Sequence, residues 1–132
     1  KETLACSTLA GYRVATLVNL ERPLTLEKPL GGHFVMGHVD GRGEIVSIRK
    51  SEGTIQLRIR VPQALRKYLV SKGSVTVDGI SLTISLLHAD GFSTVIIPHT
   101  LNETTIGGKK VGNQVNLEVD MLAKYIEAFH AI

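Results

Sequence analysis

The chain has one cysteine, Cys6, no tryptophan and four prolines in 132 residues, and aromatic side chains make up only 5% of it. A lone cysteine excludes an internal disulfide framework and, with no third ligand near any histidine pair, argues against a zinc site. The scarcity of aromatics leaves little on which nucleic-acid bases could stack. An excess of one charge is also missing: 15 Lys and Arg against 12 Asp and Glu give +3, scattered without a basic stripe. Neither nucleic acid nor a charged tail is indicated. No apolar run reaches the length of a spanning helix, so no membrane role is expected, and 43% hydrophobic content is too high for a disordered segment. The P-loop, the dinucleotide-binding glycine fingerprint and the G-x-S-x-G elbow are all absent. The expectation is a soluble globular chain in a reducing compartment, with the cytoplasm as the default.

What the chain does have is β-branched residues, with Val 13, Ile 11 and Thr 11 among its 132 positions. They favour short strands and tight turns. Alternation or β-branched density marks six strands, at Gly43–Ile48, Thr54–Arg60, Ser74–Val77, Ile80–Leu86, Phe92–Ile97 and Gln114–Val119. The turns Lys50-Ser51-Glu52-Gly53, Val77-Asp78-Gly79-Ile80 and His88-Ala89-Asp90-Gly91 each put glycine where a positive φ is expected, so neighbouring strands should pair antiparallel. Two segments read as helix. Pro62–Val70 opens on a proline suited to a first turn, with Leu65, Tyr68 and Leu69 on one face. From Asp120, an N-cap in this reading, Leu122, Tyr125, Ile126 and Phe129 recur at helical spacing, on a face that either docks on the chain's own barrel or forms a subunit interface.

An internal repeat appears when the chain is compared with itself at an offset of 97 residues. Thr3, Leu4, Thr8, Gly11, Val14, Val18, Asn19, Leu20 and Glu21 each equal the residue 97 positions on, from Thr100 to Glu118. Chance would give roughly one or two matches in such a window. The expected organisation is therefore a complete unit at residues 31–132, preceded at residues 1–30 by the trailing part of another unit and a linker. That pattern fits a C-terminal piece of a two-repeat protein.

Four segments could carry chemistry. In Gly31–His38, His33 and His38 are five apart, on opposite sides of a strand and off-face on a helix, so no shared metal is expected. His33 reads equally as a satisfied polar group in a turn. Gly37 and Gly41 allow a ligand close to the backbone. After the Asp78-Gly79 turn, Ser81 and Thr83 share one strand face opposite Ile80, Leu82 and Ile84, a pair that is either a solvated face or a site wall. Pro98 must end its strand or make it an edge, and an edge offers N–H and C=O groups to a planar heterocycle. Asp120 reads equally as an N-cap and as an acid or base.

Together these segments resemble the riboflavin synthase family, whose chains carry two lumazine-binding repeats. The pattern G-G-H-x-x-x-G-H is met by Gly31–His38, V-D-G-x-S-L-T by Val77–Thr83, I-P-H/E-T-L by Ile97–Leu101 and V-N-L-E-V-D by Val115–Asp120. The resemblance implies an all-β fold, a six-stranded antiparallel Greek-key barrel with a short helix and a C-terminal amphipathic helix that drives a homotrimer. It implies a dismutation in which two molecules of 6,7-dimethyl-8-ribityllumazine give riboflavin and 5-amino-6-ribitylaminouracil, with no cofactor or metal and with lumazine synthase as a further partner. The acidic C7 methyl of the lumazine makes orientation of two rings the main demand.

By matching position, the resemblance puts substrate contacts on Gly37, His38, Val39, Lys72, Ser81, Leu82, Thr83, Val95, Ile96, Ile97, Pro98, His99 and Thr100, with Thr3 the remnant of the other repeat's site. It gives His38 proton transfer or ring positioning, Ser81 nucleophile activation or adduct stabilisation, and Asp120 the orientation or deprotonation of a neighbour. Asp78 is expected mainly to form its turn. Because most of the first barrel is missing, this chain alone is expected to bind lumazine or riboflavin weakly and to turn over slowly or not at all. The rival readings are a non-catalytic lumazine- or flavin-binding protein and a small nucleic-acid-binding barrel.

Overall fold

Alternating burial builds the structure, a computed structural model that describes residues 1–130. Six strands form, β1 Gly41–Ser51, β2 Thr54–Arg60, β3 Ser74–Val77, β4 Ile80–His88, β5 Gly91–Ile96 and β6 Gln114–Val119. They close into an antiparallel barrel in the order β1-β2-β5-β4-β3-β6. β3, β4 and β5 follow one another as hairpins and β6 returns by a long connection to lie beside β3, which is the Greek-key path. Every second residue points inward: Leu57 and Ile59 from β2, Leu82 and Ile84 from β4, and Val115, Leu117 and Val119 from β6 are all buried with Phe92 and Ile96. The six expected strands are therefore present, with β1 and β4 longer than alternation alone indicated.

The hairpin turns follow their sequence chemistry at two of three places. Glu52-Gly53 (φ 41° and 81°) and Asp78-Gly79 (φ 47° and 80°) have both central residues left-handed, the turn whose twist matches antiparallel strands. Gly91 differs: it is not left-handed, and a Cβ there would stand 2.0 Å from the carbonyl oxygen of Ile59. Its glycine is required by the close approach of β2.

The helices are shorter than expected. The segment read as Pro62–Val70 is α-helical only at Gln63–Arg66, after which Tyr68 and Leu69 close tighter i−3 turns onto Leu65 and Arg66. Leu65 and Leu69 still join the core and Tyr68 packs against it, so the expected face is used although the helix is not. Two short helices, Glu2–Cys6 and Pro98–Glu103, each run into a 3-10 turn, at Thr8–Gly11 and Thr105–Gly108. These pairs stand 97 residues apart and repeat in detail. Ser7 caps the first turn by accepting from Leu9 N, and Thr104 caps the second by accepting from Ile106 N. The repeat in sequence is a repeat in structure.

The C-terminal helix runs Met121–His130, and Asp120 Oδ1 accepts from Leu122 N at 3.0 Å. Its apolar residues do not dock on the barrel: Leu122, Tyr125, Ile126 and Phe129 are 56–73% exposed. Two ion pairs hold it instead, Lys124 to Asp40 at 2.5 Å and Lys67 to Glu127. The Lys67 ammonium draws the Glu127 carboxyl below its ordinary range, and Lys67 is raised in return. No helix among the described residues is long and apolar enough to cross a membrane.

Candidate functional site

A row of three polar residues crosses the outside of the barrel. Ser81 on β4 faces Thr76 on β3, and Thr76 faces Glu118 on β6. All three are outward because their neighbours Leu82, Val75, Val77, Leu117 and Val119 fill the core. Yet Thr76 is 2% and Glu118 7% exposed, because the segment Gly31–Asp40 lies across the row as a strap.

Each part of the strap is tied to one member of the row. His33 Nδ1 is 2.7 Å from Ser81 Oγ, and its Nε2 is 3.2 Å from Thr76 Oγ1. Gly32, at φ 152°, lies so close that a Cβ would meet Ser81 Oγ at 2.6 Å. Further along, the Glu118 carboxylate accepts two backbone N–H bonds, from Met36 at 2.7 Å and from Gly37 at 3.0 Å. Asp40 ends the strap by accepting from Val119 N at 2.9 Å. His38, between the last two ties, is exposed and makes no side-chain hydrogen bond among the described residues.

Beside the strap the barrel wall has a seam. The β4–β5 ladder runs from His88↔Gly91 only as far as Ile84↔Thr94, after a bulge at Ser85. Beyond it the tie is a side chain, Thr94 Oγ1 donating to Thr83 O at 2.8 Å. The β4-facing side of Val95–Ile97 thus has no ladder partner, which is the open edge expected from Pro98, located at a seam of a closed barrel. Val95 and Ile97 are about half exposed there, giving apolar surface next to free backbone groups. Thr83 is exposed, and Lys72, left-handed at φ 64°, donates its N–H to Ile84 O in the middle of the same strand.

Of the residues singled out in sequence, Ser81, Leu82, Thr83, Val95, Ile96 and Ile97 lie along this seam, with Lys72 at its end and Gly37, His38 and Val39 on the strap. Leu82 and Ile96 point into the core. The strand ends at Ile96, before Pro98, and Pro98, His99 and Thr100 start a helix, with Pro98 in the first turn, where its missing N–H costs nothing. Thr3 occupies the corresponding helix of the repeat, and its carbonyl accepts from Ser7 as that of Thr100 accepts from Thr104. Asp120 serves as an N-cap. Asp78 does more than turn the chain, accepting from Asn116 N at 2.7 Å and lying 2.7 Å from Lys109 Nζ.

Sequence reasoning missed Thr76 and Glu118 and left His33 without its partners. The available signal was the alternation of Val115–Val119, which turns Glu118 outward and so leaves a carboxylate to be accounted for. Two clefts, of about 260 and about 300 Å³, accompany the site: the first lies between the N-terminal arm and the strap and is lined by Gly37, Val39, Thr76 and Glu118 with Tyr12 and Asn19, and the second lies around Leu57, Ile106 and Lys109. Neither includes Ser81 or Val95, and the seam presents Thr83, Val95 and Ile97 at the surface. Among the described residues no group of three His, Cys, Asp or Glu side chains is placed to hold a metal ion.

A closed six-stranded Greek-key barrel is a fold also seen in solved structures. LumP complexed with 6,7-dimethyl-8-(1'-D-ribityl) lumazine superimposes with a TM-score of 0.79 at 21% identity, over 90% of this chain and 63% of LumP, a likeness of fold. LumP complexed with flavin mononucleotide gives 0.62 at 32% identity, over 66% of this chain and 49% of that one. Residues 36–120 match the family described as the lumazine binding domain, and the chain belongs to that family. It is 49% identical over 126 residues to a riboflavin synthase of Photobacterium phosphoreum, covering 96% of this chain and 58% of that protein. It is 51% identical over 129 residues to the riboflavin synthase of Mycobacterium tuberculosis (strain ATCC 25618 / H37Rv), covering 96% and 64%. The chain thus spans about 60% of the length of these curated relatives.

Proposed function

We propose that this chain is the second lumazine-binding repeat of a riboflavin synthase, residues 31–132, with residues 1–30 the closing part and linker of the first. The observation that carries this reading is the 43–51% identity to riboflavin synthases along nearly the whole chain, arm included. The seam between Thr83 and Val95 takes the heterocycle of 6,7-dimethyl-8-ribityllumazine, its rings on the apolar side chains of Val95 and Ile97 and its polar edge on the free backbone groups and the hydroxyls of Ser81 and Thr83. His38 moves a proton or orients the ring. Ser81 activates a nucleophile or steadies an adduct, and Asp120 orients its neighbour. In the dismutation one lumazine passes a four-carbon unit to another, so the full reaction needs two such surfaces facing each other. This supports little or no turnover by the 132-residue chain alone.

The partner is a second copy of the chain, in a cytoplasmic homotrimer built through the exposed stripe of the C-terminal helix, with lumazine synthase a further partner. Titrating the chain with 6,7-dimethyl-8-ribityllumazine and following absorbance and fluorescence tests the reading. A saturable spectral change at one site per chain is expected, with riboflavin formed slowly or not at all. An unperturbed spectrum at saturating concentrations rules the binding out, and riboflavin formation at the rate of a full-length riboflavin synthase rules out the need for the other repeat. Binding with no riboflavin formed even when the first repeat is restored favours the second reading, a lumazine- or flavin-binding protein. The likeness to LumP with flavin mononucleotide supports that alternative.

A further inference from the structure

We infer that Glu118 is a positioning residue, whose buried carboxylate fixes the Met36–Gly37 backbone and through it the place of His38. The inference rests on the reading of His38 as a group that moves a proton of the bound lumazine or orients its ring.

Three facts carry it. First, Glu118 is 7% exposed, and its hydrogen-bond partners among the described residues are the two backbone N–H groups of the strap, one on each oxygen. A carboxylate buried without a cationic partner is costly unless charge-assisted bonds replace its water, and two N–H donors do so. Second, the strap has little else to hold its middle. Phe34 and Met36 are each 55% exposed, and Gly37 is left-handed at φ 75°, a conformation that costs glycine little but that nothing in its own side chain enforces. Third, the next residue is His38, which has no side-chain tie of its own. Its position is therefore inherited from the anchors on either side, Glu118 at Gly37 before it, and after it Cys6 donating to Val39 O and Asp40 bonded to Leu117 O and Val119 N. Glu118 stands opposite Thr76 on β3, in the row that the strap crosses.

The alternative, that Glu118 only stabilises the barrel, makes a different forecast. The test compares the unmodified chain with Glu118→Gln and Glu118→Asp by amide hydrogen exchange and lumazine titration. In the unmodified chain the amides of Met36 and Gly37 should exchange slowly although they lie outside any strand. Glu118→Gln keeps the shape but offers one acceptor oxygen for two donors. It should speed exchange at one or both amides by about tenfold and weaken lumazine binding by about tenfold, the worth of one charge-assisted bond. Protection of core amides such as Val75 and Ile84 should be unchanged. Glu118→Asp, shorter but able to accept twice, should recover part of both losses.

Rapid exchange at Met36 and Gly37 in the unmodified chain overturns the inference. So does a Glu118→Gln protein that loses core protection and strap protection equally, or one that binds lumazine as the unmodified chain does. If the unmodified chain shows the slow amides but leaves the lumazine spectrum unchanged, the clamp stands and the assignment of the seam as a lumazine site fails.

Discussion

Asn19 and Asn116, 97 residues apart, do the same task for each other's repeat. Asn116 Oδ1 accepts from Thr8 N at 2.7 Å, and Asn19 Oδ1 accepts from Thr105 N at 2.8 Å. Thr8 and Thr105 are themselves 97 apart, and each begins a 3-10 turn. The bonds are therefore exchanged about a local two-fold relation: each asparagine satisfies the free N–H of the turn in the other repeat. Asn19 also donates to Asp78 O at 2.8 Å, so the arm grips the barrel at the turn between β3 and β4.

Replacing either asparagine should loosen the arm rather than the barrel. Asn116→Ala leaves Thr8 N without a partner, at about 1–2 kcal/mol. Asn19→Ala does the same for Thr105 and removes the Asp78 contact. Limited proteolysis should cut within residues 13–30 faster in either variant, with the barrel still intact. Equal cleavage in all three proteins would show that the exchanged bonds do not hold the arm.

Ser81 and His33 should behave as one unit. Ser81→Ala removes the hydroxyl from His33 Nδ1, and Gly32→Ala drives a Cβ into the same hydroxyl while straining a left-handed backbone, at about 1–3 kcal/mol. Both should weaken lumazine binding more than they lower the melting temperature. A cycle with His33→Ala checks the coupling: the losses for Ser81→Ala and His33→Ala should fall short of adding, and additive losses would separate the two.

The stripe on the C-terminal helix should drive self-association. Ile126→Asp or Phe129→Asp places a charge on a surface that is more than half exposed, so folding stability should change by less than about 0.5 kcal/mol. Sedimentation velocity should show the unmodified chain associating and the variants as monomers. Unchanged sedimentation in the variants would remove the helix from the interface.

Acid should act through Asp90. Its hydrogen bond and ion pair with Arg58 at 2.8 Å hold its carboxyl below the usual carboxylate range. A carboxyl depressed in the folded state stabilises the fold above its unfolded value, and that contribution disappears as pH falls through the folded value. Asp90→Asn should therefore flatten the loss of stability below about pH 4. The effect should be under about 1 kcal/mol at neutral pH, because both side chains are more than a third exposed. Urea midpoints at pH 7 and at pH 3 measure it, and equal slopes for both proteins would contradict it.

The strands were legible because burial on a sheet alternates and Leu57, Ile59, Leu82, Ile84, Val115 and Leu117 keep that period without a break. Asp78-Gly79 was legible because its turn type is local. The short helix at Pro98–Glu103 was not, since it has too few residues to show a period and takes its shape from the 3-10 turn it runs into. The strap was hidden for a different reason. Gly31–His38 is visible as a motif, but its partners Thr76, Ser81 and Glu118 are 43 to 82 residues away, and no local pattern pairs a backbone N–H with a distant carboxylate. The C-terminal helix was legible as an amphipathic element, whereas the direction of its apolar face depends on the two ion pairs that turn it outward.

The repeat also gives one chain two near-copies of a single strand. Val18-Asn19-Leu20-Glu21 matches Val115-Asn116-Leu117-Glu118 residue for residue, and only one slot exists between β1 and β3. The two segments have the same side chains to offer that slot over four positions. The next two residues separate them. Val119 is buried in the core and Asp120 begins a helix, whereas the arm continues with Arg22 and Pro23. Seating the arm would drive the Arg22 guanidinium into the place that Val119 fills in the core. The residue after the shared four thus acts as an address label on otherwise interchangeable strands, keeping the arm outside the barrel.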